Sequence, residues 1–150
     1  MTQPYHLAQI NIAKGHATLE NPIMKGFVDQ IDHINKLAEA SPGFVWRLKT
    51  ENGDATEIQP FDDELIIVNM SVWGSMESLK NYVYSGDHLE ALKQKKSWFQ
   101  KIQGPFLALW WIPAGTTPTV QDGKNALEQL RLHGSTPKAF TFAKPQPMPA

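Results

Sequence analysis

With 150 residues, 41% of them hydrophobic, the chain is long enough for one domain with a real core and too short for two comfortable ones. Fourteen basic against fifteen acidic residues leave no long-range field to draw in nucleic acid or an anionic membrane. Cysteine is absent, which excludes a disulfide framework, a thiolate-held metal and a thiol nucleophile. Residues 1–20 include Lys14 and Glu20 without a long apolar core, and no apolar run approaches the ~20 residues that cross a bilayer. A soluble cytoplasmic protein without a membrane partner is expected.

Residues 5–12 alternate, with Leu7, Gln9 and Asn11 on one face and His6, Ala8, Ile10 and Ile12 on the other, which predicts a first strand. Asn21 and Pro22 then supply an N-cap and a helix-starting proline, and Met24, Phe27, Val28, Ile31, Ile34 and Leu37 recur at helical spacing up to Ser41-Pro42-Gly43. Residues 44–49 read as a second strand, with Phe44, Trp46 and Leu48 on one face and Val45 and Arg47 on the other. The polar stretch 50–63 is long for a hairpin loop and is expected to project.

The continuous apolar run 65–73, ending in Trp73, predicts a third strand covered on both faces. A short helix follows around Met76, Leu79, Tyr82 and Val83, broken at Ser85-Gly86. A second is expected to start at Asp87, with Asp87 as N-cap and Glu90 completing a capping box, and to run on through Phe99. Lys93, Lys95, Lys96 and Lys101 read as its solvated face. Residues 105–113, bounded by prolines, form a fourth strand, and residues 119–131 a helix around Val120, Leu127 and Leu130, stopped by Gly134. One domain is expected over residues 1–142, with an extended or disordered tail over 143–150, where Pro145, Pro147 and Pro149 forbid a helix.

Strand, helix, strand, strand, helix, strand is the split arrangement of an α+β, ferredoxin-like βαββαβ domain: an antiparallel sheet with helices on one face, here followed by a C-terminal helix. The other face should then be bare and apolar, which predicts a homodimer with two sheets packed face to face.

Particular segments carry a family resemblance. Ala38-Glu39-Ala40-Ser41-Pro42-Gly43-Phe44-Val45-Trp46-Arg47-Leu48, Val68-Asn69-Met70-Ser71-Val72-Trp73, Tyr84-Ser85-Gly86-Asp87-His88 and Leu109-Trp110-Trp111-Ile112-Pro113-Ala114-Gly115 together resemble the bacterial DUF3291 family. That family is a branch of the dimeric α/β-barrel superfamily, which also holds antibiotic-biosynthesis monooxygenases. The resemblance implies a small-molecule enzyme similar to cofactor-independent monooxygenases, acting on an aromatic or polyketide-like substrate between sheet and helices. Its alternative is a non-catalytic ligand-binding or haem-binding dimer. Some haem-degrading members use a first-strand asparagine, a tryptophan ending the third strand and a histidine on the next helix, whose counterparts here are Asn11, Trp73 and His88.

The residues themselves add candidates. Asn69, on a strand face with Ser71 and Trp73, is an amide in an apolar strand and must find partners, so it is either a structural hydrogen bond or a ligand contact. His88, read as the first residue of a helix capped by Asp87, would feel opposed effects of helix dipole and carboxylate, placing its titration near neutrality. Catalytic roles are therefore assigned to His88, Asn69 and Trp73. Gln9, Asn11 and Ser71 form with Asn69 a polar lane, and Tyr82, Tyr84, Trp98 and Phe99 read either as walls of the same substrate site or as core packing. Arg47 reads either as an anion contact or as a rim salt bridge. His6, His16, His33 and His133 show no metal-ligand spacing, so no metal is expected; the family resemblance implies no required cofactor, with haem as the exception it admits.

Overall fold

Two periodicities build the sheet, and the first strand carries both of its neighbours. In this computed structural model, which describes residues 4–49, 61, 63–91, 95–102 and 104–149, β1 (Tyr5–Gly15) lies antiparallel to β3 (Ile66–Trp73) in one register from Leu7 opposite Trp73 to Lys14 opposite Ile66. Its other edge pairs with β5 (Leu107–Pro113), from Tyr5 opposite Pro113 to Asn11 opposite Leu107. Beyond that, the short β4 (Phe99–Gln100) pairs with Gly15 and Lys14, so β1 runs past the expected end at Ile12. With β2 (Phe44–Arg47) on the far side of β3, the order is β2-β3-β1, with β5 and β4 both on the other edge of β1, an open antiparallel sheet in the ferredoxin-like α+β arrangement.

Local chemistry sets the helix ends. Asn21 accepts from the Ile23 N–H at 3.0 Å and caps a 3-10 turn, Pro22–Met24, which leads into α1 (Lys25–Glu39). Ser75 caps α2 (Met76–Val83) through the Ser78 N–H at 3.1 Å. The next helix, α3 (Gly86–Ala91), is capped by Ser85 rather than Asp87: the Ser85 hydroxyl accepts from the His88 N–H at 3.2 Å, and its carbonyl accepts from the Leu89 N–H at 3.0 Å. His88 is therefore the third helical residue, not the first, and the side chain of Asp87 lies outside the described residues. The expected continuous helix to Phe99 is instead α3, then α4 (Lys95–Trp98), which hands over to β4. Thr119 and Asp122 form a reciprocal capping box for α5 (Val120–His133), which ends at Gly134 with φ 69°.

The second strand departs from strict alternation. A bulge between Phe44 and Trp46 sends Phe44 to the Trp73 side of the sheet and Trp46 to the Val72 side, so Phe44, Trp46 and Leu48 do not share a face. Phe44 meets Trp73 edge to face at 5.6 Å. The loop expected to project lies outside the described residues except near its end, where Lys124 sits over the Phe61 ring at 5.1 Å.

The two sheet faces bury different partners. Leu7, Trp73 and Leu109 pack with Ala38 of α1, Leu79 of α2 and Phe140. Ala8, Ile10, Met70, Val72 and Trp110 pack with Ala126, Leu127 and Leu130 of α5. The face expected to be bare is thus covered by the chain's own C-terminal helix, with Ile10 and Val72 at 0% exposure. Gly123 makes this approach close: a Cβ there would lie 2.7 Å from Ile10 Cδ1 and 3.1 Å from Met70 Sδ. After α5, Phe140 pairs with Leu109 through both backbone bonds, 2.8 and 2.9 Å, and the Trp111 indole N–H donates to the Gln146 carbonyl at 3.0 Å, so the proline-rich tail follows the sheet edge.

Candidate active site: an amide lane beneath a half-buried histidine

Between the sheet and helices α1 to α3 lies a cavity of about 540 Å³, the size and form of a small-molecule site. Its floor is the pleat of β1 and β3, where antiparallel register puts Asn11 opposite Asn69 and Gln9 opposite Ser71. Phe27, Ile31 and Ile34 of α1 line it with Phe99, which meets Phe27 edge to face at 4.9 Å, and Leu79, Tyr82 and Tyr84 line it with Phe142.

The floor is wired together. Gln9 Nε2 donates to Asn69 Oδ1 at 2.7 Å and to Ser71 Oγ at 2.8 Å, and the Trp73 indole N–H donates to the same Ser71 oxygen at 2.8 Å. Asn11 Nδ2 donates to Gln9 Oε1 at 3.3 Å and, at 3.5 Å, to Asn69 Oδ1. Polar groups at this depth need partners, and each amide supplies one for the next.

Of the residues anticipated from sequence, Gln9, Asn11, Asn69, Tyr84, His88 and Phe99 line the cavity. Trp73, Ser71 and Trp98 stand behind its wall, at 0%, 6% and 5% exposure. Trp73 therefore cannot touch a ligand in this conformation; it holds Ser71 and stacks on Tyr82, rings 5.1 Å apart and 22° from parallel. Trp98 packs on Phe27, and its indole crowds Gly26. Arg47 points to Glu39, Nε to Oε2 3.5 Å, with its side chain 11% exposed, which favours the salt-bridge reading over an anion contact.

His88 is set by its neighbours. Tyr82, whose hydroxyl donates to the Ile34 carbonyl at 3.2 Å, presents its ring to the imidazole edge to face at 4.8 Å. Burial holds the His88 pKa below its ordinary value; the Val83 carbonyl opposes this and the Lys95 ammonium adds to it. Nδ1 is buried without a well-formed hydrogen bond. The ring is thus neutral at physiological pH and able to take a proton. Burial also pushes the Tyr82 phenol up to about 12, so it stays protonated.

Phe27, Ile31, Ile34, Asn35, Phe106 and Phe142 were not anticipated as lining. The first three belong to the α1 stripe, whose periodicity marks burial without separating core from cavity wall. Asn35, a polar residue beside that stripe, was the available signal. Among the described residues no three His, Asp or Glu side chains gather as a metal would require, and no helix is long and apolar enough to cross a membrane.

No curated protein matches the sequence. Among solved structures, PA3566 from Pseudomonas aeruginosa aligns at TM-score 0.52 and 9% identity, over 77% of this chain and 99% of its own. SnoaB, a cofactor-independent oxygenase from Streptomyces nogalater, aligns at 0.47 and 14% identity, over 75% and 95%. A DABB family protein with a ferredoxin-like fold from Mesorhizobium loti aligns at 0.42 and 13%, over 77% and 100%. At such identities the likeness concerns the fold alone. The family model for a domain of unknown function, DUF3291, matches residues 6–150, from the first strand through the amide lane and α5 to the tail, and the chain belongs to that family.

Proposed function

We propose that the cavity is the active site of a cofactor-independent oxygenase acting on an aromatic, polyketide-like substrate. The observation that carries this reading is the pairing of a polar lane on the floor with a neutral, partly buried His88 on the wall of an otherwise apolar cavity. A flat aromatic body packs against Phe27, Ile31 and Phe99, and its oxygen substituents reach Asn11 and Asn69.

The chemistry is that of an acidic CH₂ or phenol beside a carbonyl. His88 takes the proton, leaving a delocalised carbanion whose negative oxygen accepts from the Asn69 amide and faces Lys95. Dioxygen is the oxidant: the carbanion gives up electrons to it and forms a C–O bond, yielding a hydroperoxide. The His88 imidazolium supplies the proton on the distal oxygen of that hydroperoxide, and the remaining C–H proton leaves with the distal hydroxide as the O–O bond breaks, giving a ketone or quinone and water.

Haem, which the family resemblance also admits, fits the described lining poorly. Lys95 is the one Lys or Arg there to meet two propionates, and the His88 ring is held edge-on to Tyr82.

Oxygen uptake with anthrone and related quinols tests the proposal. The wild-type protein should consume oxygen with an anthrone-like substrate, and His88→Ala should lower the rate about 100-fold or more. No uptake across a broad panel by folded protein would sink the reading, and a stoichiometric Soret band with haemin, lost in His88→Ala, would replace it with haem binding.

A further inference from the structure

We infer that Gln9 is a positioning residue that fixes the polarity of the cavity floor, so that Asn69 presents N–H donors and Asn11 presents a carbonyl acceptor to the ligand. This deepens the proposed function, on which its meaning for substrate choice rests.

Gln9 is 4% exposed and its carboxamide is fully used. Both Nε2 protons are spent, on Asn69 Oδ1 and Ser71 Oγ, and Oε1 accepts from Asn11 Nδ2. The Trp73 indole N–H takes one lone pair of Ser71 Oγ and Gln9 Nε2 takes the other, at the back of the lane. Asn69 therefore has its oxygen turned inward, occupied by Gln9 and Asn11. Its Nδ2 protons and the Asn11 Oδ1 have no partner among the described residues, and both side chains line the cavity at opposed positions of β1 and β3. The floor thus offers one donor and one acceptor side by side. The matching ligand carries a carbonyl next to a hydroxyl, the carbonyl accepting from Asn69 and the hydroxyl donating to Asn11.

Gln9→Glu tests this because it inverts the pattern with little change of shape. A carboxylate has no proton for Asn69, so Asn69 must turn and donate inward, exposing its oxygen beside that of Asn11. Ser71's hydroxyl proton, which has no acceptor among the described residues, gains one in the new carboxylate.

Solvent exchange of side-chain amide protons in ¹⁵N-labelled protein reads the polarity without a ligand. In the wild type both Gln9 amide protons should exchange about tenfold or more slowly than those of Asn69, and in Gln9→Glu an Asn69 proton should slow about tenfold. Asn69 protons as protected as those of Gln9 in the wild type would overturn the assignment, and that comparison needs no variant. So would an unchanged Asn69 in a folded Gln9→Glu protein.

For the ligand, fluorescence titration compares a vicinal hydroxyacetonaphthone with a vicinal dihydroxynaphthalene. The wild type should favour the hydroxyketone about tenfold and Gln9→Glu the diol. A wild type that does not discriminate, by binding both equally or neither, overturns the ligand assignment. Absence of oxygen uptake with these results intact would remove the oxygenase reading and leave this one standing.

Discussion

Replacing Gly43 by alanine probes the joint that holds the back of the cavity. Gly43 opens β2 at φ 85°, and its carbonyl accepts from the Gly74 N–H at 2.7 Å, tying the β2 entrance to the end of β3 just beyond Trp73. An alanine Cβ would run into Ser78 Oγ and Cβ, at the first turn of α2. Left-handed backbone costs a non-glycine residue about 1–2 kcal/mol, and overpacking costs about 1–3 kcal/mol. Gly43→Ala should therefore destabilise by about 2–5 kcal/mol in urea unfolding. Removing the obstacle with Ser78→Gly separates the two costs: the double variant recovers the steric part, about 1–3 kcal/mol, and keeps the backbone part. A Gly43→Ala protein within about 0.5 kcal/mol of wild type, or a cycle without coupling, would refute this reasoning.

Two further outcomes follow from the packing. His88 has a folded pKa lowered by burial, so its neutral form contributes stability that is fully present above the unfolded-state value near 6.5 and is lost as pH falls through the folded one. Urea midpoints between about pH 7 and pH 5 should fall more steeply for wild type than for His88→Gln, and parallel slopes would contradict the buried, neutral assignment. Gly123→Leu should lever α5 off the sheet, because its first side-chain carbon already meets Ile10 and Met70. Sedimentation should show more self-association than wild type as the uncovered apolar face seeks a partner, and an unaltered, equally stable variant would mean that α5 does not screen this face.

That last point bears on assembly. A dimer by face-to-face packing of two sheets was expected because the second face of a ferredoxin-like sheet is bare, yet α5 already buries Ala8, Ile10, Met70 and Val72. The amphipathic pattern of residues 119–131 announced that the helix would bury Leu127 and Leu130. It did not announce against what, because periodicity records that a stripe is covered and never by which element.

The candidate site divides in the same way. Alternation along β1 and β3 placed Gln9, Asn11, Asn69, Ser71 and Trp73 on one sheet face, and the structure shares that assignment. Depth was another matter: Asn69 is exposed to the cavity while Trp73, on the same face, is wholly buried, since α2 lies over only one end of the strand. The histidine's position also shifted. Ser85 and Asp87 are both good caps two residues apart, and only the actual hydrogen bonds, from His88 N–H to Ser85 and from Leu89 N–H to the Ser85 carbonyl, choose between them.

Local rules thus sufficed for what is local: the order of the main strands and helices, the cap at Asn21, the stop at Gly134 and the face taken by each residue of β1 and β3. Tertiary packing alone decided the bulge that parts Phe44 from Trp46, the helix that covers the second face, and the register that brings Gln9, Asn69 and Ser71 within hydrogen-bond reach. The reason is that these depend on contacts between residues some sixty positions apart in the chain, as Gln9 is from Asn69, and no periodicity within one segment encodes its partner.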